Sequence, residues 1–310
     1  MKLASFQIAG RPSYGYIKGG GIVDLSLRFD ALRTLRDFLA HDGLSRINDL
    51  RGAAADFVIA DVIFEPVIPD PGKIICVGLN YHDHVIETGR TVTDKPLLFA
   101  RYAGSQVGHG QPVIKPLESD ELDYEGEVAV IIGKGGRRIS EDEALSHVAG
   151  YACYNDVSVR DWQRHTSQFM PGKTFAGTGA FGPWMVTTDE IPDPTKLTLT
   201  TRLNGQIVQQ TTTDLLINSI PSLISYCSTI LPLAPGDVIV SGTPGGVGAK
   251  RSPPLWMRPG DLVEVEVTGI GVLRNPVIDE QNEAEPEWRE VPVGAAGVPN
   301  HAGSEQRRSV

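Results

Sequence analysis

The run Leu122-Asp123-Tyr124-Glu125-Gly126-Glu127-Val128-Ala129-Val130-Ile131-Ile132 opens on spaced acids and closes on an unbroken apolar stretch. Strand side chains alternate faces, so Glu125 and Glu127 point the same way from the mouth of an apolar strand. Like charges placed so repel one another and resist burial unless a cation compensates them. Asp156 ends a second short apolar run, Tyr151-Ala152-Cys153-Tyr154, and is placed to close the third side of an oxygen-ligand site. Hard divalent cations such as Mg²⁺ take this chemistry: a few carboxylates, with water or substrate oxygens filling the remaining positions. An exposed strand end with solvated acids is the competing reading of the same spacing.

At 310 residues the chain can bury a substantial core and has room for one large domain plus a smaller one. Its net charge of −10 argues against phosphate-backbone binding, so no nucleic-acid partner is expected. Cys76, Cys153 and Cys227 are far apart, each in an apolar context, which suits reduced, buried thiols better than a disulfide framework or a thiolate metal site. The opening Met1-Lys2-Leu3-Ala4-Ser5-Phe6-Gln7 lacks the apolar core of a signal peptide, and no stretch approaches the length of a membrane span. The expectation is a soluble cytoplasmic protein with no membrane partner.

Residues 1–70 read as a small separate unit, with strand-like pieces at 3–8, 14–17 and 22–25 and a helix carrying Leu32, Leu35, Phe38 and Leu39. Ile68-Pro69-Asp70-Pro71-Gly72 breaks the chain there. Residues 73–279 are mostly strands with few helices, which points away from a doubly wound α/β sheet. Ser140-Glu141-Asp142-Glu143 is a capping-box pattern and Gly150 a suitable helix stop. Residues 196–203, Asn204-Gly205 and 206–210 read as a hairpin on a tight turn. Pro221 fits a helix first turn ahead of Leu223, Ile224 and Cys227, and residues 261–267 alternate as a half-buried strand. Residues 280–310 have no periodicity and read as a flexible or loosely attached tail.

In a helix His84 and Glu87 share a face, and a carboxylate beside an imidazole sets its tautomer and raises its basicity, which suits a general base acting on water. His82 and His84 face nearly opposite sides of such a helix, which counts against a zinc pair. Asp156 is also a candidate cap for a helix carrying Arg160, Gln163 and Arg164; Arg160 and Gln163 are neighbours there and can grip a carboxylate or carbonyl. Lys173, in Pro171-Gly172-Lys173-Thr174, sits in a turn able to aim an ammonium into a cleft. Gly177-Thr178-Gly179-Ala180-Phe181-Gly182 matches a dinucleotide fingerprint, but Pro183 follows and no helix opens, so that reading fails. The glycine-rich stretch from Ser241 to Lys250 misses the Walker spacing yet can offer backbone N–H groups and the Thr243 hydroxyl to an anion.

These pieces, in this order, resemble the fumarylacetoacetate hydrolase family, in its single-chain branch of acylpyruvate hydrolases and related 2-oxo acid enzymes. The resemblance is carried by Asn80, Tyr81, Asp83, His84 and Glu87, by Glu125 and Glu127, by Asn155-Asp156 with Arg160, Asp161 and Gln163, and by Gly172-Lys173. Gly242-Thr243-Pro244, Gly246-Val247-Gly248, Pro259-Gly260-Asp261, Gly269-Ile270-Gly271 and Asn275-Pro276 complete it over residues 73–279. It implies an α+β, β-rich fold, a mixed β-sandwich roll with a small N-terminal domain, usually a homodimer. It implies Mg²⁺ or Mn²⁺ on Glu125, Glu127 and Asp156, and the His84–Glu87 pair on a lid ordered by substrate. Lys173 is then a catalytic group for the developing oxyanion, with Arg160, Gln163, Thr243, Tyr81 and Gly242 on the substrate. Leu79 stands where several relatives carry a basic residue, and His165 and Gln168-Phe169-Met170 fall where relatives vary. The implied reaction is hydrolytic C–C cleavage of a 2,4-dioxo acid through a metal-stabilised enolate. Decarboxylation, isomerisation or hydration of a 2-oxo acid draws on the same site, and a non-catalytic ligand-binding protein retaining the fold is the alternative of another class.

Overall fold

The computed structural model describes residues 1–50 and 52–281. The apolar run does form a strand, Gly126–Ile132, buried along its whole length. Val128, Val130 and Ile132 enter one hydrophobic cluster, while Ala129 and Ile131 enter another on the opposite face. A strand covered on both faces sits in the middle of a sheet, and its residues need not alternate with polar ones.

That sheet runs, neighbour to neighbour, through Phe57–Val58, Gly21–Asp24, Arg11–Lys18, Lys2–Ile8, Gly179–Thr187, Val148–Asp156, Gly126–Ile132, Val238–Val240, Ile74–Gly78 and Leu97–Arg101. Its pairings are antiparallel except that Val238–Val240 runs parallel to Ile74–Gly78, and the short Gln106–Val107 strand runs parallel to Gly179–Thr187. A second sheet orders Gln206–Thr212, Thr198–Leu203, Leu262–Val267, Gly271–Asp279 and Val113–Lys115. Leu199, Val263, Val265 and Leu273 from it pack into the cluster that holds Val128 and Val130, beside Leu223, Ile224 and Cys227 of the Ile220–Ile230 helix. The expected strand-rich α+β class is what is found.

Residues 1–70 do not stand apart. Lys2 and Leu3 pair with Val186 and Met185, so the N-terminal strands extend the edge of the large sheet, and Met1–Glu280 is one compact unit. The helix expected there is Leu35–Ala40, capped by Thr34 and Asp37 in a reciprocal box; Leu32 is buried ahead of it. The expected tail, 280–310, lies outside the described residues beyond Gln281.

Several local expectations hold. Asn204 (φ +52°) and Gly205 (φ +78°) turn the Thr198–Leu203 and Gln206–Thr212 hairpin, as the tight-turn reading requires. Others need correction. Ser140 precedes the Glu141–Ala144 helix but donates its hydroxyl to Glu143 rather than capping a backbone N–H. Gly150 is no helix stop: it lies within the Val148–Asp156 strand, where a Cβ would meet the Val186 carbonyl oxygen at 2.3 Å. Close strand approach, not helix termination, explains that glycine.

Candidate active site

Register brings the acids together. Gly126 pairs with Asn155 and Glu127 with Tyr154, and the Asp156 N–H donates to the Glu125 carbonyl at 2.8 Å. Directly opposite residues on paired strands share a face, so Glu125 faces Asp156 just past the end of the strand that carries Glu127. Ligand oxygens of Glu125, Glu127 and Asp156 all lie within 4.8 Å of one another, and the three residues are buried. Metal–oxygen distances of about 2.1 Å place opposed ligands about 4.2 Å apart, so the triad is gathered to nearly that span.

The surrounding charges show what such a triad needs. Lys173, closing the short Met170–Lys173 helix, is 1 % exposed and puts its Nζ 2.5 Å from Glu125 Oε2 and 2.6 Å from Asp156 Oδ2. Burial opposes the ammonium charge, but Asp156 and Glu125 outweigh it and raise the lysine's pKa. Arg160 Nη1 lies 2.7 Å from Glu125 Oε1, and Arg101 Nη1 2.5 Å from Asp156 Oδ1. Burial likewise works against the ionised Glu125, yet Arg160, Lys173 and His84 together hold its carboxyl down at about 2.

Glu127 is treated differently. Among the described residues the one hydrogen bond its carboxylate accepts comes from the Gly242 N–H at 2.5 Å. Burial first, then Asp156 and Glu125, push its carboxyl well above the usual carboxylate range. A buried acid lacking a cationic partner, beside two acids that have theirs, is the mark of a missing positive charge. The all-oxygen donor set suits Mg²⁺ or Mn²⁺, so the residues fit the implied metal.

His84 and Glu87 meet on one helix face. The His82–Thr88 helix buries His84 and exposes His82, so the two histidines do face apart. His84 Nδ1 lies 2.7 Å from Glu87 Oε1, and Glu87 Oε2 accepts the Gly246 N–H at 2.8 Å. With Nδ1 occupied by the carboxylate, Nε2 is left to accept a proton. His84, Glu125, Glu127, Arg160, Gln163 and Lys173 all line one cavity of about 440 Å³.

The rest of the expected set divides. Thr243 reaches the cavity, but its hydroxyl donates to the Gly126 carbonyl at 3.0 Å and accepts from Gln209 at 2.9 Å, so it pins the loop to the strand that carries Glu127. The Gly242 N–H is spent on Glu127. Tyr81 is buried, bridges to Leu216 and is not part of the cavity wall. Asp156 caps no helix; Val159 precedes Arg160–Gln163 without a side-chain cap.

Sequence reasoning missed Arg101, the lone charge closing the apolar Leu97–Arg101 strand, whose guanidinium also donates to the Val157 carbonyl and Thr178. It also missed Asp123, two residues before Glu125 in the same alternation. On the distal wall, Arg90 lies over the Phe169 ring at 5.4 Å, and it too gave no sequence signal.

Glu125, Glu127 and Asp156 thus form a buried acidic cluster suited to a divalent cation, and Glu125 and Glu127 share their cavity with His84. The chain belongs to the fumarylacetoacetate hydrolase family: its model, described as fumarylacetoacetate (FAA) hydrolase C-terminal, matches residues 73–278. The chain is 38 % identical over 289 residues to a mitochondrial oxaloacetate tautomerase of Xenopus laevis, covering 90 % of each chain. A human mitochondrial oxaloacetate tautomerase is 38 % identical over 266 residues, covering 84 % of this chain and 85 % of that one. Among solved structures, a putative HpcE protein from Mycobacterium smegmatis superposes with a TM-score of 0.81 at 35 % identity, covering 91 % of this chain and all of that one. Maleylpyruvate hydrolase from Sphingobium sp. SYK-6, in complex with manganese(II) and pyruvate, superposes with a TM-score of 0.76 at 28 % identity, covering 91 % and 100 %. Among the described residues no helix is long and apolar enough to cross a membrane.

Proposed function

We propose that this protein is a divalent-metal-dependent tautomerase of a 2-oxo acid, moving a proton between C3 and the 2-oxo oxygen, with oxaloacetate the first substrate to test. One observation carries the reading: His84 lines the same cavity as Glu125 and Glu127, which gather with the buried Asp156, while its Nδ1 is locked on Glu87. The tautomerase relatives are 38 % identical to the chain against 28 % for the maleylpyruvate hydrolase, which supports proton transfer over bond cleavage.

Glu125, Glu127 and Asp156 would hold Mg²⁺ or Mn²⁺, which when bound supplies Lewis acidity beside the oxo group. His84 Nε2 takes the proton from C3 and delivers it to the 2-oxo oxygen, or carries it the opposite way from enol to keto, and Glu87 holds the imidazole in the tautomer that can do so. Arg160 and Gln163 orient the carboxylate end. Lys173 keeps the charge of Glu125 and Asp156 balanced and adds a positive field where oxyanion character develops.

Hydrolytic cleavage of an acylpyruvate is the second reading, supported by the same His84 Nε2, which is equally able to deprotonate a water, and by the likeness to maleylpyruvate hydrolase. The homodimer implied by the resemblance is likewise a proposal, to be read by sedimentation. The experiment is a side-by-side assay with Mg²⁺ or Mn²⁺ present: decay of enol-oxaloacetate, CO₂ release from oxaloacetate and pyruvate release from acylpyruvates. Accelerated enol decay that chelation abolishes supports the tautomerase. Pyruvate release without it transfers the assignment to the hydrolase, and no turnover of any 2-oxo acid overturns both.

A further inference from the structure

We propose that Asp123 is a positioning residue: it holds Arg160 in the cavity wall with one N–H left free for a substrate carboxylate. The carboxyl of Asp123 is fully buried, lies outside the metal triad, and has no part in the chemistry described so far. Both its oxygens are saturated. Oδ1 accepts from the Tyr124 N–H at 2.9 Å and the Gly248 N–H at 2.7 Å; Oδ2 accepts from Arg160 Nε at 2.7 Å and the Ala249 N–H at 2.9 Å. The approach of the loop is tight: a Cβ on Gly248 would lie 2.6 Å from Asp123 Oδ1 and 1.9 Å from the Leu255 carbonyl oxygen. One carboxylate therefore joins the metal-site strand, the Arg160 helix and the 247–250 turn, all of which contribute to the cavity.

The consequence falls on Arg160. Its Nε is taken by Asp123, and its Nη1 by Glu125 Oε1 at 2.7 Å and Gln163 Oε1 at 2.9 Å. A planar guanidinium held at two of its nitrogens cannot swivel, so the third is fixed in direction. That third nitrogen, Nη2, is buried and has no hydrogen-bond partner. Leaving a charged donor buried and unpaired is costly, and because Arg160 lines the cavity, an acceptor bound there that reaches Nη2 relieves that cost. A carboxylate oxygen is the acceptor that matches a guanidinium N–H in charge and geometry. Its identity as the carboxylate of a 2-oxo acid rests on the function proposed above; the positioning of Nη2 does not.

The test is Asp123→Asn, which keeps the size of the side chain but turns an N–H toward either Arg160 Nε and Ala249 or Tyr124 and Gly248. Binding of Mn²⁺, and of pyruvate to the Mn²⁺-loaded protein, is measured by calorimetry alongside KM and kcat on the 2-oxo acid panel. The expected result is a pyruvate Kd weakened on the order of tenfold or more, as for a lost charge-assisted hydrogen bond. Mn²⁺ affinity and kcat should stay within about threefold while KM rises, the pattern of lost ground-state binding. In an Arg160→Gln background the same substitution should add less than about twofold, because the two act through one atom. Unchanged pyruvate affinity in Asp123→Asn, or an equal loss in both backgrounds, overturns the proposal. Should Asp123→Asn fail to fold, Arg160→Lys decides: one ammonium cannot meet Asp123 and Glu125 and still present a directed N–H, so retained pyruvate affinity overturns the proposal equally. A wild type that binds pyruvate through Arg160 yet turns over no 2-oxo acid sinks the function and leaves the positioning intact. Turnover with an unmoved KM in Asp123→Asn does the reverse.

Discussion

The Gly246 N–H donates to Glu87 Oε2 at 2.8 Å while Glu87 Oε1 lies 2.7 Å from His84 Nδ1. One carboxylate thus couples the His82–Thr88 helix to the glycine-rich loop whose Gly242 N–H holds Glu127. The His84–Glu87 pair and the buried carboxylate cluster are thus fastened to the same loop. The loop that missed the Walker spacing uses its backbone N–H groups on the protein's own carboxylates.

His84→Ala is expected to lower kcat by about 10²–10⁴-fold, the usual contribution of a general base. The rise in Tm on adding Mn²⁺ should persist, since His84 contributes no ligand to the triad. Full turnover in this variant would remove His84 from the mechanism.

Lys173→Met should be costly without metal and less so with it. Lys173 is shared by Glu125 and Asp156, and removing one partner of a buried ion pair typically costs about 3–5 kcal/mol. A divalent ion restores positive charge to the same oxygens, so urea midpoints in chelator should fall well below wild type and recover in part with Mn²⁺. Equal losses in both conditions would show that the lysine's role is packing alone.

The carboxylate cluster was legible because a strand's two-residue alternation is rigid: once 126–132 is a strand, Glu125 and Glu127 must share a face, and Asp156 needs only antiparallel register to join them. His84 and Glu87 were legible for the analogous helical reason. Arg101 and Asp123 were not, since their partners lie across the fold, at Asp156 and at Gly248 and Ala249, and no local period encodes such contacts. The separate N-terminal unit was read from the Pro69–Gly72 breaker, but whether a strand pairs across such a breaker depends on an edge, here Gly179–Thr187, more than a hundred residues away. That Thr243 and the Gly242 N–H hold Gly126 and Glu127 could not be read from the loop's composition, since a loop's partners are not encoded in a local period.

Gly242→Ala should injure both fold and metal site. Gly242 has φ +106°, a region few side chains tolerate, and a Cβ there would lie 2.7 Å from the Asn80 Cβ. Asn80 itself ties the Asn218 and Ser241 carbonyls together, at 3.0 and 2.8 Å, and has no room to retreat. A loss of about 1–3 kcal/mol, the range for strain at a special backbone position, should come with weaker Mn²⁺ binding as the N–H on Glu127 moves. Unchanged Mn²⁺ affinity in calorimetry would separate that N–H from the metal site.

Glu125 and Glu127, two residues apart, should give stability profiles of opposite slope in the metal-free protein. The folded pKa of Glu125 is depressed to about 2 from 4.5. Its ionised form therefore stabilises the fold above the unfolded value, and that contribution drains away as pH falls from about 4.5 through 2. Glu125→Gln should accordingly lower Tm at neutral pH, with the gap to wild type closing in acid. Glu127 is raised above 4.5, so the fold favours its protonated form, and wild type loses stability relative to a neutral isostere as pH climbs from about 4.5 toward the folded value. Glu127→Gln should thus raise the Tm of chelator-treated protein near pH 7, match wild type near pH 4, and forfeit the Tm rise that Mn²⁺ gives the wild type. Melting curves across that pH span, with chelator and with Mn²⁺, settle both signs. A Glu127→Gln protein less stable than wild type without metal at pH 7 would mean that this carboxylate already has its cation, and that the site is not waiting for one.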